Sequence, residues 1–283
     1  IFYGQRSVQD DWQAVGRMDF QKSDKNSVFG RYMITGYTED PPIKYDPNVL
    51  NAGSAGIDNL AQMFTIGNTY LLSSNVVQSF RLAANRIAVH RYALPFFGYE
   101  DVGINMYSFV PHYMRMSVTG GFNLGSGSGG DTFVNTASFQ GVDDVSIVRG
   151  NHQFAIGANA AFGDSNLITR FFGVGNMPLT GQATGLGMGE FFIGRVTNFQ
   201  QAGPNELHTN QWYIGVYGQD TWKVTPRVTL NYGVRWEPFL PQNFKDGRIY
   251  NFSEERFHAG IKSQVITNAP AGFYYPGDPG FPG

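Results

Sequence analysis

The chain has 283 residues, of which 15% are charged and 15% aromatic, with 36 glycines and a formal net charge of −2. This balance, without any run of Lys or Arg, argues against a nucleic-acid surface, because phosphate contacts need clustered cations. The absence of cysteine excludes disulfides and thiol chemistry, and the apolar runs fall far short of the ~18 residues that a membrane helix needs.

In the first half of the chain, apolar and polar residues alternate over segments of about ten residues, which is the period of a β-strand. Segment 12–21 shows the pattern, since Trp12, Met18 and Phe20 share one parity and Arg17 and Asp19 share the other. The same pattern predicts further strands over 28–36, 62–73 and 80–85.

The alternation is clearest near the end of the second half, in segment 227–237. Its odd positions are mostly polar, and its even positions are Val228, Leu230, Tyr232, Val234 and Trp236. Other strands are predicted over 132–149, 152–163 and 211–223. The sequence therefore predicts about eight strands and an all-β protein.

Two kinds of connection alternate between these strands. The short ones are rich in Asn, Asp, Ser, Gly and Pro, as tight turns require, and cover 22–26, 73–75, 150–151 and 224–226. The long ones cover about 38–61, 92–131 and 164–210, and a last one begins near 240. Long loops are uncommon in compact soluble domains, whereas outer-membrane barrels combine short periplasmic turns with long extracellular loops.

This organisation predicts a transmembrane up-and-down antiparallel β-barrel, with apolar side chains toward lipid and polar ones toward an enclosed lumen. In the chain alone we expect an antiparallel sheet with two unpaired edges, formed near 12–21 and 227–239. Arginine in place of Leu230 should cost ~2–4 kcal/mol if this position faces the middle of the bilayer.

Three polar residues break the alternation. Asn68, Asp143 and Asp220 fall on the apolar parity of their strands. Asp220 lies close to a short turn, where a charge can reach the headgroup zone at little cost. For Asn68 and Asp143 we expect a bulge or a misplaced strand boundary.

No catalytic, cofactor-binding or metal-binding residue is predicted, and we do not expect an enzyme. Gly125, Gly127 and Gly130 fit GxGxxG by count, but no amphipathic helix follows them, as a dinucleotide site requires. Adjacent acidic residues on a strand point to opposite faces and make a poor catalytic pair; the pairs are Asp10-Asp11, Asp143-Asp144 and Glu254-Glu255. The histidines are dispersed, at His90, His112, His152, His208 and His258.

Charged residues on the polar parity are the candidates for the lumen: Arg17, Asp19, Arg31, Arg81, Arg235 and Glu237. They could line a substrate path or hold a plug domain through ion pairs. The simpler interpretation is that they satisfy one another across neighbouring strands, each pair contributing ~0.2–1 kcal/mol.

Several segments together carry a family resemblance. Residues 217–238, YGQDTWKVTPRVTLNYGVRWEP, resemble a hairpin of TonB-dependent outer-membrane receptors, and more narrowly of the Oar-like receptors with a carboxypeptidase-regulatory-like N-terminal domain. Residues 16–19 with 25–32, 148–157, 189–195 and 268–279 agree with this resemblance. Gly189-Glu190 departs from the pattern, because relatives more often have Ala-Asp there.

The resemblance implies a 22-strand barrel that is filled by an N-terminal plug and energised through a TonB box. Residues 1–283 would then be one part of the barrel domain, without the plug and the N-terminal domain. Such a receptor lies in the outer membrane of a Gram-negative type of bacterium and admits a large nutrient, a glycan or a chelated metal. Its expected partners are outer-membrane lipid, the TonB energy-transducing complex through the plug, and the nutrient, with no nucleic acid and no cofactor.

Two other interpretations stay open from the sequence. The chain could close on itself as a small eight-strand outer-membrane barrel with a structural or adhesive role, because eight strands can fill their own interior. It could also be a soluble sugar-binding β-sandwich, whose strands alternate in the same way.

Overall fold

The computed structural model describes residues 4–125, 132–170, 172–203, 205–245 and 249–281. The long strands begin and end at the short turns that the sequence predicts. In chain order the strands are β1 (Gln9–Ser23), β2 (Asn26–Glu39), β3 (Gly56–Ser73), β4 (Val76–Tyr92), β5 (Met116–Val118), β6 (Asn123–Leu124), β7 (Thr132–Arg149), β8 (His152–Thr169), β9 (Met177–Leu179), β10 (Asn205–Thr225), β11 (Val228–Trp236), β12 (Asn243–Phe244), β13 (Asn251–Phe252) and β14 (Phe273–Tyr274).

The helices are few and short. The α-helices are α1 (Gly187–Ile193) and α2 (Glu254–His258), and the 3-10 helices are Pro42–Lys44, Val49–Gly53 and Glu100–Val102. None of the helices that the structure describes has the length and apolarity needed to cross a membrane.

Eight long strands form one antiparallel sheet in the order β1-β2-β3-β4-β7-β8-β10-β11, and the short β12 also pairs with β10. Each strand pairs with its neighbours in the sequence of long strands, which is the up-and-down topology. β1 and β11 form the two edges, as the sequence predicts, and they do not pair with each other among the described residues. The predicted antiparallel sheet is therefore confirmed.

The strands are longer than the alternation indicated. β3 begins at Gly56 rather than at residue 62. β8 continues to Thr169 rather than ending at residue 163, and β10 begins at Asn205 rather than at residue 211. In these extensions polar residues occupy both parities, as Asp164 and Ser165 do in β8 and His208 and Thr209 in β10, so no alternation marks them. Backbone pairing continues there regardless, because it does not depend on the character of the side chains.

The strands are tilted against the line of the short turns. Met18 and Ile214 lie in one row of paired residues, six strand-to-strand steps apart. Met18 lies six residues before the turn residue Asp24, and Ile214 lies twelve before Pro226, so the turns shift by one residue per strand. A shift of ~3.3 Å per ~4.8 Å of strand spacing corresponds to a tilt of about 35°. Transmembrane barrels have this tilt, about 35–45°.

Three long connections pack together into one folded unit, which we call the loop unit: residues 40–55, 93–125 and 172–203. β5 pairs in parallel with β9 and antiparallel with β6, so the second and third connections share a small sheet. The first connection contributes Leu50 to the same core, whose buried members are Tyr99, Met114, Met116, Val118, Leu124, Met177 and Leu179. The long connections are thus not structureless.

Candidate functional site

The register brings the predicted lumen candidates to one face of the sheet. Asp19 pairs with Phe29, Phe29 with Gly67, and Gly67 with Arg81, and paired residues point to the same side. The same reasoning along the other strands places all six candidates together: Arg17, Asp19, Arg31, Arg81, Arg235 and Glu237. We call this side the polar face. Its position toward a lumen stays a prediction.

A hydrogen-bond network on the polar face is centred on Arg235. Its guanidinium donates to the Tyr213 hydroxyl at 2.7 Å and to the Asn159 side-chain oxygen at 2.9 Å. Glu237 accepts from Arg235 and from the Tyr213 hydroxyl, the latter at 2.6 Å. The network therefore joins β8, β10 and the end of β11.

A second group continues this network toward β4. The Tyr217 hydroxyl donates to Asp144 Oδ1 at 2.7 Å, and Arg81 Nη1 lies 4.0 Å from Asp144 Oδ2. The Arg235 guanidinium lies 5.8 Å from the centre of the Tyr217 ring. Asp144, Tyr213 and Tyr217 were not among the predicted members of this face, although the two tyrosines lie on the polar parity of β10.

The expected mutual pairing of the candidates is only partly correct. Arg17 and Asp19 form an ion pair at 2.7 Å, and Arg235 pairs with Glu237, so both pairs join residues two apart in one strand. They do not cross to a neighbouring strand, because residues i and i+2 already share a face. Arg31 donates to the Met63 sulfur at 3.7 Å. These side chains keep about half of their surface exposed, so they can still contact a polar ligand or another protein.

The opposite side, which we call the apolar face, is uncovered. Met18 and Val234 are 77% and 76% exposed, and Trp236 is 61% exposed. A β-sandwich would bury these side chains under a second sheet, so the soluble sandwich does not fit this structure. An apolar surface of this extent instead matches the lipid-facing side of a barrel.

Each of the three residues that break the alternation bonds to a residue of the adjacent hairpin, at a junction between successive hairpins. Asn68 donates to Asn26 at 3.0 Å across β2 and β3. Asp143 accepts from Gln78 at 3.0 Å across β4 and β7. Asp220 bonds to His152 Nδ1 at 2.7 Å across β8 and β10. We call these contacts the junction pairs.

The expected bulge or misplaced boundary at Asn68 and Asp143 is wrong, because both lie within continuous pairing. Each of the three polar side chains on the apolar face instead bonds to a diagonal partner on the adjacent strand, which offsets part of the cost of its position. Asp143 and Asp144 do point to opposite faces, as the strand period predicts.

The apolar face is bounded at both ends on β4. Gln78 and Arg86 enclose Phe80, Leu82 and Ala84, and eight residues span ~26 Å along the strand, or ~22 Å along the membrane normal at the tilt above. This agrees with the ~25 Å apolar band of outer-membrane barrels. Leu230 lies only four residues from the turn residue Pro226, near the end of the apolar band, so the mid-bilayer position on which its expected cost depended is not met.

The loop unit is held by buried and partly buried carboxylates. Glu190 of α1 is buried and accepts from the backbone N–H of Ala183 at 2.6 Å and of Gly181 at 2.9 Å, which lowers its pKa. Asp40 accepts from Lys44, Tyr45 and Tyr92, and these bonds lower its pKa to about 2. Both carboxylates are therefore ionised at neutral pH and act as fixed acceptors.

The structure does not bring the other candidates for metal or cofactor binding together into a site among the described residues. No group of three or more His, Asp or Glu side chains suited to a metal ion occurs in the described ranges. His112 contacts Asp101 at 3.0 Å and His208 contacts Asp164 at 3.2 Å, as separate pairs. Of the glycine motif, Gly127 and Gly130 lie outside the described residues.

An antiparallel sheet with one uncovered apolar face, one networked polar face and a barrel's tilt defines the wall of a transmembrane β-barrel. A family model described as outer membrane beta barrel domain matches residues 1–282. The chain therefore belongs to this family and is a protein of the bacterial outer membrane.

Two further comparisons concern solved structures and curated proteins. The solved structure of the outer membrane transporter YddB from Escherichia coli is similar with a TM-score of 0.47 and 12% identity over 84% of this chain. The chain spans 28% of the length of that transporter chain. No curated protein matches the sequence.

Proposed function

We propose that this chain is part of the barrel of a TonB-dependent, Oar-like outer-membrane receptor that admits a large nutrient, either a glycan or a chelated metal. The observation that carries the proposal is the polar face, where half-exposed arginines, carboxylates and tyrosines form a network behind an apolar exterior. Such a surface suits the wet interior of a transport barrel.

The open edges support a large barrel over a small one. β1 and β11 each leave one side without a pairing strand in the described sheet. Unpaired backbone groups cost several kcal/mol each in lipid, so in this proposal further strands pair with both edges and complete the wall. A receptor of more strands supplies them, whereas an eight-strand barrel would have to join β1 to β11.

The parts of the chain have distinct roles in this proposal. The loop unit meets the nutrient first, and the polar face contacts the nutrient or the plug inside the barrel. Energy comes from the TonB complex, which acts through the plug and not through these residues. No bond of the nutrient is made or broken, so the protein is a transporter and not an enzyme.

Uptake in a strain that lacks the gene tests the proposal. Labelled maltoheptaose and ⁵⁵Fe-citrate represent the two nutrient classes, and cells with the full-length protein should accumulate at least one of them faster than the deletion strain. A protonophore should remove the difference, because TonB-linked uptake needs the energised inner membrane.

A second candidate is an outer-membrane barrel with a structural or adhesive role. It fits the same two faces and the same family. Unchanged uptake of both probes, together with weaker surface attachment or detergent resistance in the deletion strain, would favour this candidate over the receptor.

A further inference from the structure

The short-turn end of the sheet carries an excess of positive charge. The two central residues of the four short turns are 24–25, 74–75, 150–151 and 226–227. Within three residues of these lie one anion, Asp24, and five cations: Lys22, Lys25, Arg149, Lys223 and Arg227. We call the five cations the basic rim. The whole chain has 20 Lys and Arg against 22 Asp and Glu, so the remaining residues hold 15 cations and 21 anions, a net charge of −6. Charge is therefore sorted along the strand axis.

The cations of the basic rim are free to meet a ligand. All five are exposed, and no ion pair joins them to a carboxylate within the described part of the chain. They differ in this from Arg17 and Arg235, which hold carboxylates on the polar face. Unpaired cations at one end of a membrane protein form an attractive surface for anions.

Part of the rim points to the lipid side. Arg149 pairs in register with His152, and His152 pairs with Trp222, so the three side chains share the apolar face. The His152 and Trp222 rings stack with their centres 5.3 Å apart. Aromatic rings at the end of the apolar band are typical of the membrane interface, where a long cationic side chain reaches toward headgroups.

The level of the rim matches the headgroup zone. Asp220 of the junction pairs lies six residues from the turn residue Pro226, whereas Lys223 lies three from it and Arg227 follows it. The rim thus begins where the apolar band ends. Guanidinium and ammonium groups at this level can donate several hydrogen bonds to the oxygens of a phosphate.

We propose that the basic rim binds the phosphate groups of acidic lipid headgroups in the leaflet at the short-turn end. The ligand class follows from the charge of the rim, its level beyond the apolar band and the lipid-side position of Arg149. The proposal rests on the location in the outer membrane and is independent of any transport activity.

The test measures lipid selectivity of the full-length protein in phosphatidylcholine vesicles. Spin-labelled phosphatidylglycerol and spin-labelled phosphatidylcholine are compared by the fraction of each that the protein immobilises. For a phosphatidylglycerol headgroup that binds one rim cation, the association constant should be about five times that of phosphatidylcholine. Replacing the rim, as K22Q/K25Q/R149Q/K223Q/R227Q, should bring the association constant of phosphatidylglycerol down to that of phosphatidylcholine.

The matched control removes five exposed or half-exposed cations far from the short turns, as R6Q/K44Q/R91Q/R195Q/K262Q, and should keep the selectivity. Equal loss in both variants, or no loss in the rim variant, would overturn the proposal. Displacement of phosphatidylglycerol by inorganic phosphate, beyond that by chloride at equal ionic strength, would assign the rim to free phosphate instead. If the rim variant does not insert into vesicles, the lipid selectivity of the native protein is measured in 1 M NaCl instead. Selectivity that persists at this salt concentration would contradict binding by exposed charges.

Discussion

Leu82 and Ala83 are neighbours on β4 that point to opposite faces of the sheet. Leu82 pairs with Ile66 and Gly141 on the apolar face, and Ala83 pairs with Thr65 on the polar face. Arginine at Leu82 should lower the free energy of unfolding by ~2–4 kcal/mol, because this position lies in the middle of the apolar band. Denaturant titration of the full-length protein in phospholipid vesicles measures the change.

Two control substitutions make this prediction specific. Ala83→Arg places the same charge at the same depth on the polar face. Leu230→Arg places it near the short-turn end of the apolar band, where the cost falls to ~0–1 kcal/mol. Equal losses for Leu82→Arg and Ala83→Arg would show that the two faces are wrongly assigned.

The junction pair of His152 and Asp220 gives a second prediction. Asp220 also accepts from the Tyr232 hydroxyl at 2.8 Å, so Asp220→Ala leaves two donors without their acceptor. The free energy of unfolding should fall by about 1–3 kcal/mol. His152→Phe retains a ring that can stack on Trp222 and serves as the second substitution of a double-mutant cycle.

The cycle isolates the contact between the two side chains. A coupling energy of at least ~0.5 kcal/mol is expected for groups that share a hydrogen bond. Effects of the two substitutions that simply add would mean that the junction pairs contribute nothing to joining the hairpins.

At the residue scale the sequence predicts to which face of the sheet each side chain points, because the strand period is two and one face is apolar while the other is polar. It does not predict partners on other strands. Asp144 and Tyr217 are 73 positions apart, and only the register of β7, β8 and β10 brings them together. Without the register, Asn68 indicates a bulge or a misplaced boundary, because its partner Asn26 on the neighbouring strand is not apparent.

Among the elements, α1 shows how the loop unit is stabilised. Its Glu190 carboxylate accepts from two backbone N–H groups of the turn at 181–185. A Cβ at Gly189 would lie 2.8 Å from Thr184 Oγ1, so glycine fits this turn without displacing the threonine. The departure Gly189-Glu190 is therefore consistent with the local packing.

Glu190→Gln should loosen this part of the loop unit. The amide offers one acceptor oxygen where the carboxylate offers two, so one backbone N–H loses its partner at a cost of about 1–3 kcal/mol. Hydrogen exchange should become faster over residues 180–186 and unchanged in β8 and β10. The exposed Glu254→Gln is the control, and equal exchange in the two variants would contradict the role assigned to Glu190.

The loop unit is the element that sequence periodicity could not reveal. Its strands have two or three residues, too few for alternation to register, and β5 pairs with β9 across sixty residues. The eight long strands, in contrast, repeat their pattern often enough to be recognised individually.

For the whole molecule, the open edges give a prediction about closure. The chain has no native cysteine, so introduced pairs report proximity directly. Cysteines scanned along β1 and β11 of the full-length protein should not form disulfides, since other strands separate these edges in a larger barrel. Ala14→Cys with Ile34→Cys, which pair across β1 and β2, is the positive control.

Cross-linking between β1 and β11 in the native membrane would instead identify an eight-strand barrel. That result would remove the structural argument for a large barrel, while leaving the two faces and the family unchanged. The number of strands in the complete wall is thus the property on which the two candidate functions differ most directly.

The length of β10 has a consequence for where a ligand is first captured. Its 21 residues extend ~57 Å along the membrane normal at the tilt of the sheet, while the lipid-facing zone takes ~22 Å and begins ~15 Å above the turns. About 20 Å of wall therefore stands in water on the far side. A solute would dock well above the headgroups, and thinning or thickening the bilayer should leave its capture unaffected.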